Sequence, residues 1–388
     1  MNIQNENPFE QFLSQKDEEA WSATLATLLR SIHEVDRNAT QIWFAFYPLS
    51  LWQALEQADD RERLVQQLLL QGDYDLKDQI DRSHAFLYGH RFWPQVKKAV
   101  EQHAEEWDSA RVGGRVLGVE ETSNQSVAKN SLTTAPSKFS SQHPTPKTLY
   151  PTASLSDQIL SLARRVAAEL KKEESLLVGI TAVAFMTLQQ TGLAAFKAAP
   201  GAIHIDRKHA NKSPERILRD RAKDDSQGLL GFLRTVNKQF TITHDENDDK
   251  AKYKLNDGQD LAWGAAEDRS RDWIAIDPRR SEGPIPVECR SASCGTCWVG
   301  VLGGAEKLAD VAAREGKKIK EFGYIDTAEP KPLIRLACQA QAGGAISVVI
   351  PPWNGQFGKY LKALKHTGAE SPAVRPANDR AQQNDAVN

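Results

Sequence analysis

Four cysteines constrain this 388-residue chain more than any other feature, because all of them lie between positions 289 and 338. Cys289, Cys294 and Cys297 share one loop with the spacing C-x4-C-x2-C, and Cys338 follows after 40 intervening residues. Between the first three stand Ser291, Ala292, Ser293, Gly295 and Thr296, residues small enough for the backbone to close around whatever the thiols hold. A fold that uses all four must bring this loop against a strand end far away in sequence. The start of the chain, Met1 to Asn7, is polar and has neither a basic run nor an apolar stretch. No secretory signal is expected from it, the cytoplasm is the expected compartment, and thiols there stay reduced. The charge balance, 49 basic against 51 acidic residues, offers no basic excess for a nucleic-acid partner.

Three ligands in one loop and one at a distance is the plant-type 2Fe–2S pattern. A two-iron, two-sulfide rhomb takes two thiolates on each iron, and loop N–H groups pointing at the sulfurs tune its potential. Structural zinc sites more often use two short C-x2-C pairs, so a zinc-stabilised binding protein is the weaker reading. Cys289, Cys294, Cys297 and Cys338 are therefore assigned as the metal and cofactor ligands, with a 2Fe–2S cluster as the cofactor.

The flanks agree. Lys238–Thr243 and Ala251–Leu255 alternate apolar and polar residues around a polar turn, which predicts a β-hairpin. A short helix is expected around Leu261–Glu267, and strands over Trp298–Leu302 and Ala345–Ile350, the latter closed by Pro351 and Pro352. In this order the elements resemble the ferredoxin-type β-grasp domain over residues 237 to 353. Ile285–Cys289 and Arg335–Gln339 are similar to the sequences that flank its ligands, in the form of the bacterial and adrenodoxin-like members. The resemblance implies a one-electron carrier. Where the family commonly has glycine two residues before the second cysteine, this chain has Ala292. If that position needs positive φ, the strain is on the order of 1 kcal/mol. Where adrenodoxin-like members carry an acidic docking helix, this chain mixes Arg314, Lys317, Lys318 and Lys320 with its acids.

The remainder predicts an α+β protein in which a C-terminal β-grasp domain follows mainly helical regions joined by a flexible linker. Residues 1–112 read as a helical domain with helices over Asp17–Ile32, Leu49–Gln71 and Leu76–Trp107, the last interrupted, and an aromatic core. Residues 113–154 are rich in Ser, Thr and Pro and read as a linker. Residues 155–236 form a second helical block, 237–356 the ferredoxin domain, and 357–388 a short helix and disordered tail. In the second block, Ser156–Lys172 has helical apolar spacing, Ser213 and Pro214 start another helix, and Gly228–Val236 leads into the ferredoxin domain. The stretch Ser175–Phe196 has apolar side chains, interrupted by Gln189, Gln190 and Thr191, which favours a buried helix over a membrane span. His84 and His90 are six apart and do not share a helical face, so structural histidines are favoured over a metal or haem site.

No catalytic constellation, dinucleotide fingerprint or P-loop is found, which suggests an electron carrier or electron-transfer subunit and no stand-alone enzyme. The expected partner is a redox protein: a reductase, an oxygenase or a membrane complex, with direct membrane contact the lesser expectation. The helical regions, the uncharged stretch Ser175–Phe196 among them, are expected to dock the cluster domain to that partner. An electron-entry subunit of a larger complex is the alternative.

Overall fold

The computed structural model describes residues 7–49, 52, 79–116, 153–203, 205–223, 238–276, 279–322 and 331–351, excepting the side chains of 108–116 and 321–322. Most of the expected Leu49–Gln71 helix and of the 113–154 linker lie outside these residues, as do Gly228–Val236 and the 357–388 tail.

The helices that build the first layer are α1 (Pro8–Ser14), α2 (Glu18–Leu28), α3 (Glu34–Phe46), α4 (Trp93–Val116), α5 (Leu155–Leu170), α6 (Ser175–Thr191), α7 (Leu193–Ala198) and α8 (Pro214–Ala222). Local signals start several of them. Asn7 and Asp17 cap α1 and α2, Ser154 and Asp157 form a capping box on α5, and Ser213 caps α8 with Pro214 in its first turn. The expected interrupted helix from Leu76 resolves into one turn at Gln79–Arg82, a 3-10 turn at Tyr88–Phe92, and α4. α4 runs to Val116, past Gly113 where the linker was expected to begin.

The stretch Ser175–Phe196 is two helices. Gly192, at φ 78°, ends α6 and turns the chain into α7. Fourteen of the 17 residues of α6 are buried, and α1, α2, α3, α4, α5 and α7 all pack against it. An uncharged helix can occupy this position because its backbone polar groups are satisfied internally and its side chains need no water. The glutamines near its end are fasteners: Trp21 Nε1 donates to Gln189 Oε1 (2.6 Å), Gln189 Nε2 to the Lys16 carbonyl (2.7 Å), and Gln190 Nε2 to the Tyr47 carbonyl (2.8 Å). The expectation that this helix faces a partner is therefore corrected: its surface is consumed by its own neighbours. The N-terminal aromatics Phe9, Trp21, Trp43, Phe46 and Trp93 belong to the same core, so the 1–112 and 155–236 stretches share one interior. No described helix is long and apolar enough to cross a membrane.

The second layer is a mixed sheet of β1 (Gln239–Thr243), β2 (Lys252–Asn256), β3 (Trp298–Gly303), β4 (Ile334–Leu336) and β5 (Ile346–Val349), in the order β2-β1-β5-β3-β4. The expected hairpin pairs Phe240 with Leu255 and Ile242 with Tyr253, all four facing inward. β5 lies parallel to β1 and antiparallel to β3. Helix α9 (Leu261–Ala265) packs on β2, and α10 (Ala313–Phe322) on β4.

β3 is buried on both faces because α3 lies across it. Gly300 permits that approach: a Cβ there would stand 2.5 Å from Ile42 Cγ2. α8 fastens the same seam, with Arg221 donating to the Val35 carbonyl (2.7 Å) and to both Glu246 oxygens (2.7 and 2.9 Å). The helical layer is thus bound to the sheet by packing and by a buried ion pair.

Candidate metal centre

The loop from Glu282 to Cys297 leads into β3 and brings the first three cysteines to the start of that strand. Ile285 and Val287 are buried and anchor its approach. Inside the loop Arg290 (φ 49°), Ala292 (φ 56°) and Gly295 (φ 71°) adopt left-handed backbone. Alternating hands turn successive N–H groups toward one side, which makes an anion-binding nest. The nest closes on sulfur. Ser291, Ser293 and Cys294 N–H groups approach Cys289 Sγ at 3.4, 3.3 and 3.4 Å, and Thr296 N–H approaches Cys294 Sγ at 3.4 Å. The Ala292 N–H serves Cys338. The condition stated for Ala292 is met: its backbone is left-handed, in a residue that bears a Cβ.

Cys338 reaches the loop because β4 pairs with β3 and the Ala337 N–H donates to the Cys297 carbonyl (2.9 Å). Side-chain hydrogen bonds join Cys289 to Cys294 and Cys297 to Cys338, and Cys294 with Cys297 and Cys289 with Cys338 are close enough to interact as charges. Among the described residues no three ligating side chains converge on a single ion. Burial opposes ionisation of Cys289, but the amides of Ser291, Ser293 and Cys294 outweigh it and bring the thiol down to about 6. In the other pair, the hydrogen bond from Cys297 lowers Cys338 to about 7 against the effect of burial, while Cys297 itself is raised. Each pair thus holds one readily formed thiolate, the species that binds iron. Four thiols in two pairs, cradled by N–H donors, fit a two-iron cluster.

One element of the site escaped sequence reading. Arg335, in β4, is wholly buried and makes a bidentate pair with Glu315 of α10, both contacts at 2.9 Å. Glu315 also accepts from the Leu336 N–H (2.9 Å), and Arg335 donates to the Ala309 carbonyl (2.9 Å). The pair pins α10 to the strand that leads to Cys338. Its signal was an arginine inside the apolar run Leu333–Ala337, which cannot be buried without a carboxylate.

The rim of the loop is basic and partly aromatic. Arg290 pairs with Glu282 and lies 5.3 Å over the ring of Trp263, which is 52% exposed. Arg314 reaches Ser293 Oγ (3.4 Å). Lys317 and Lys320 are exposed on α10, while Lys318 is half-buried and has a partner of its own.

His84 and His90 do meet, although six residues apart, because the chain between them bends through a turn. Their Nδ1 atoms lie 2.9 Å apart, and His84 Nε2 contacts the Ile80 carbonyl at 3.1 Å. Burial, and then the His90 ring, holds His84 well below its ordinary pKa. A neutral His84 donates to the carbonyl and accepts from His90, which makes the pair a satisfied core contact.

Residues 266–343, about a fifth of the chain, match the 2Fe-2S iron-sulfur cluster binding domain family. The match begins after the β1–β2 hairpin, which joins the sheet through β1 and β5. No curated protein and no solved structure matches the chain.

Proposed function

We propose, for a chain that carries a 2Fe-2S cluster binding domain, that Cys289 and Cys294 hold one iron and Cys297 and Cys338 the other. The protein then works as a one-electron carrier. The observation that carries this reading is the side-chain pairing of the four thiols, with loop N–H donors on Cys289, Cys294 and Cys338. When bound, the cluster supplies reversible storage of one electron. The chain's own residues do the rest. Amides of Ser291, Ser293, Cys294 and Thr296 stabilise negative charge on the sulfurs, and so favour the reduced state. Burial of Cys297 and Cys338 excludes water from one side. The Arg335–Glu315 pair holds Cys338 in register with the loop.

The partner is inferred to be an acidic redox protein that approaches the rim of Arg290, Arg314, Lys317 and Lys320. The exposed Trp263 ring offers apolar contact at the edge of that field. Opposite charge speeds encounter and is screened by salt. The helical layer supports the sheet from the side that carries α3, and among the described residues Trp263, Lys317 and Lys320 stay exposed at the loop rim.

Two measurements test this. Purified protein should carry about two irons and two acid-labile sulfides per chain and, once reduced, show the paramagnetic signal of a mixed-valence pair. Replacing Cys338 with Ala should abolish that signal. About one zinc per chain without visible absorbance would overturn the assignment. For the partner, Arg314→Glu with Lys317→Glu should slow electron transfer at low salt and converge with wild type at high salt. A salt-independent rate in both proteins would reject charge-guided docking.

A further inference from the structure

A cavity of about 390 Å³ opens at the seam between α8 and the sheet, lined by residues of α8, β1, β2 and the start of β5. It is remote from the cysteines. Ser347 on its wall pairs with Gly303, six residues along β3 from Cys297, a distance of about 20 Å at the rise of a strand.

The lining carries five Lys and Arg side chains against three carboxylates. The carboxylates are already engaged. Glu246 is held by Arg221 and by Ser347 Oγ (2.6 Å), and Asp220 by Lys212 (3.3 Å) and Arg216 (3.1 Å). Asp249 is taken by Lys208. Lys223 and Lys252 line the same cavity and have no carboxylate among the described residues. His209 is only 2% exposed, yet neither ring nitrogen makes a hydrogen bond among the described residues; Nε2 stands 3.3 Å from Asp249 Oδ1 without forming one. Both nitrogens are closed off from the cavity, so the ring shapes its wall and leaves ligand contact to the lysines. Burial, and then Lys212 and Lys208, lowers the pKa of His209, which reports the positive field at the same point. Thr241 and Thr243 add hydroxyls, while Ile217 and Ile346 supply an apolar wall.

We propose that this cavity binds a small phosphate monoester, its phosphate set against Lys223 and Lys252 and its organic part against Ile217 and Ile346. A phosphate monoester carries close to two negative charges at neutral pH and three acceptor oxygens, which answers two lysines that have no carboxylate among the described residues. The volume exceeds what inorganic phosphate needs and lies within the range of small-ligand sites. This site is independent of the cluster.

Calorimetric titration of the full-length protein at matched ionic strength tests it, with AMP, ribose 5-phosphate and inorganic phosphate as probes and malonate as a dicarboxylate control. The expected result is one saturable site per chain for the two esters, weaker binding of inorganic phosphate, and at least tenfold loss in Lys223→Gln/Lys252→Gln. Lys98→Gln, on the exposed face of α4, should bind as wild type does. Both lysines of the double variant are exposed, and its circular dichroism should match wild type. The proposal fails if neither ester binds at millimolar concentration, if the double variant binds equally well, or if malonate binds as tightly as the esters.

Discussion

Between Cys289 and Cys297 the chain is polar, bent through left-handed residues, and held by its own amides on sulfur. Helix α6 is the reverse: regular in backbone, apolar almost throughout, and held by six neighbouring helices. The loop depends on ligation and strain, and the helix on burial. Damage to each should therefore be visible to different measurements, which gives a way to test the contrast.

The largest effects come from a pair of truncations. Glu315→Ala leaves Arg335 buried without its carboxylate and should cost about 3–5 kcal/mol. Phe185→Ala, in the middle of α6, should cost about the same through a cavity. Denaturant unfolding reads both. Of the two, Glu315→Ala should also lose iron, because Glu315 bonds the strand that leads to Cys338 and Phe185 does not touch it. Equal iron loss in Phe185→Ala would erase the contrast.

Acid should act on both regions. His103, packed against Phe9 and Phe185, is lowered by burial to about 4, and so is His244 behind the hairpin. The unfolded chain takes up these protons near pH 6.5 and the folded chain only near 4, so stability falls as pH drops through that window. Each histidine contributes about 3 kcal/mol to the fall. His84 adds to it with the same sign. Asp36 opposes it: burial raises this carboxyl to about 6 despite N–H bonds from Gly89 and Tyr88, so its proton uptake favours the fold as pH falls. The net expectation is weaker folding at pH 4 than at pH 6.5, with a shallower profile in His103→Leu. A flat wild-type profile would contradict the burial of these rings.

Gly300→Ala should cost about 1–3 kcal/mol, since the added methyl meets Ile42 across the layer seam. The smallest change runs the other way. Ala292→Gly should stabilise the protein by about 1 kcal/mol by relieving the left-handed strain. Thermal unfolding of the iron-loaded protein measures it, and a loss of stability would mean that the Ala292 methyl, which is buried, matters more than its backbone.

Legibility followed the same division. The hairpin was readable because alternation with period two is a local pattern, and the short helix α9 and strands β3 and β5 because turns bracket them. The two glutamines that interrupt the α6 pattern looked like breaks in an apolar helix; they are its hydrogen bonds to Trp21, Lys16 and Tyr47. The lysines of α10 drew attention to its exposed face, while the buried face with Glu315 and Ile319 went unread.

The cysteine spacing alone determined the cofactor class, since that depends on a few adjacent residues and on the chemistry of thiolates; the resemblance to the ferredoxin family singled out Ala292 as the residue in a glycine's place. Tertiary structure decided the rest: which acid meets Arg335, which helix lies on Gly300, and why Ser175–Thr191 is enclosed by the protein itself. Those outcomes are set by contacts between residues far apart in the chain, where one carboxylate or one apolar face competes with many, and the geometry of packing selects among them.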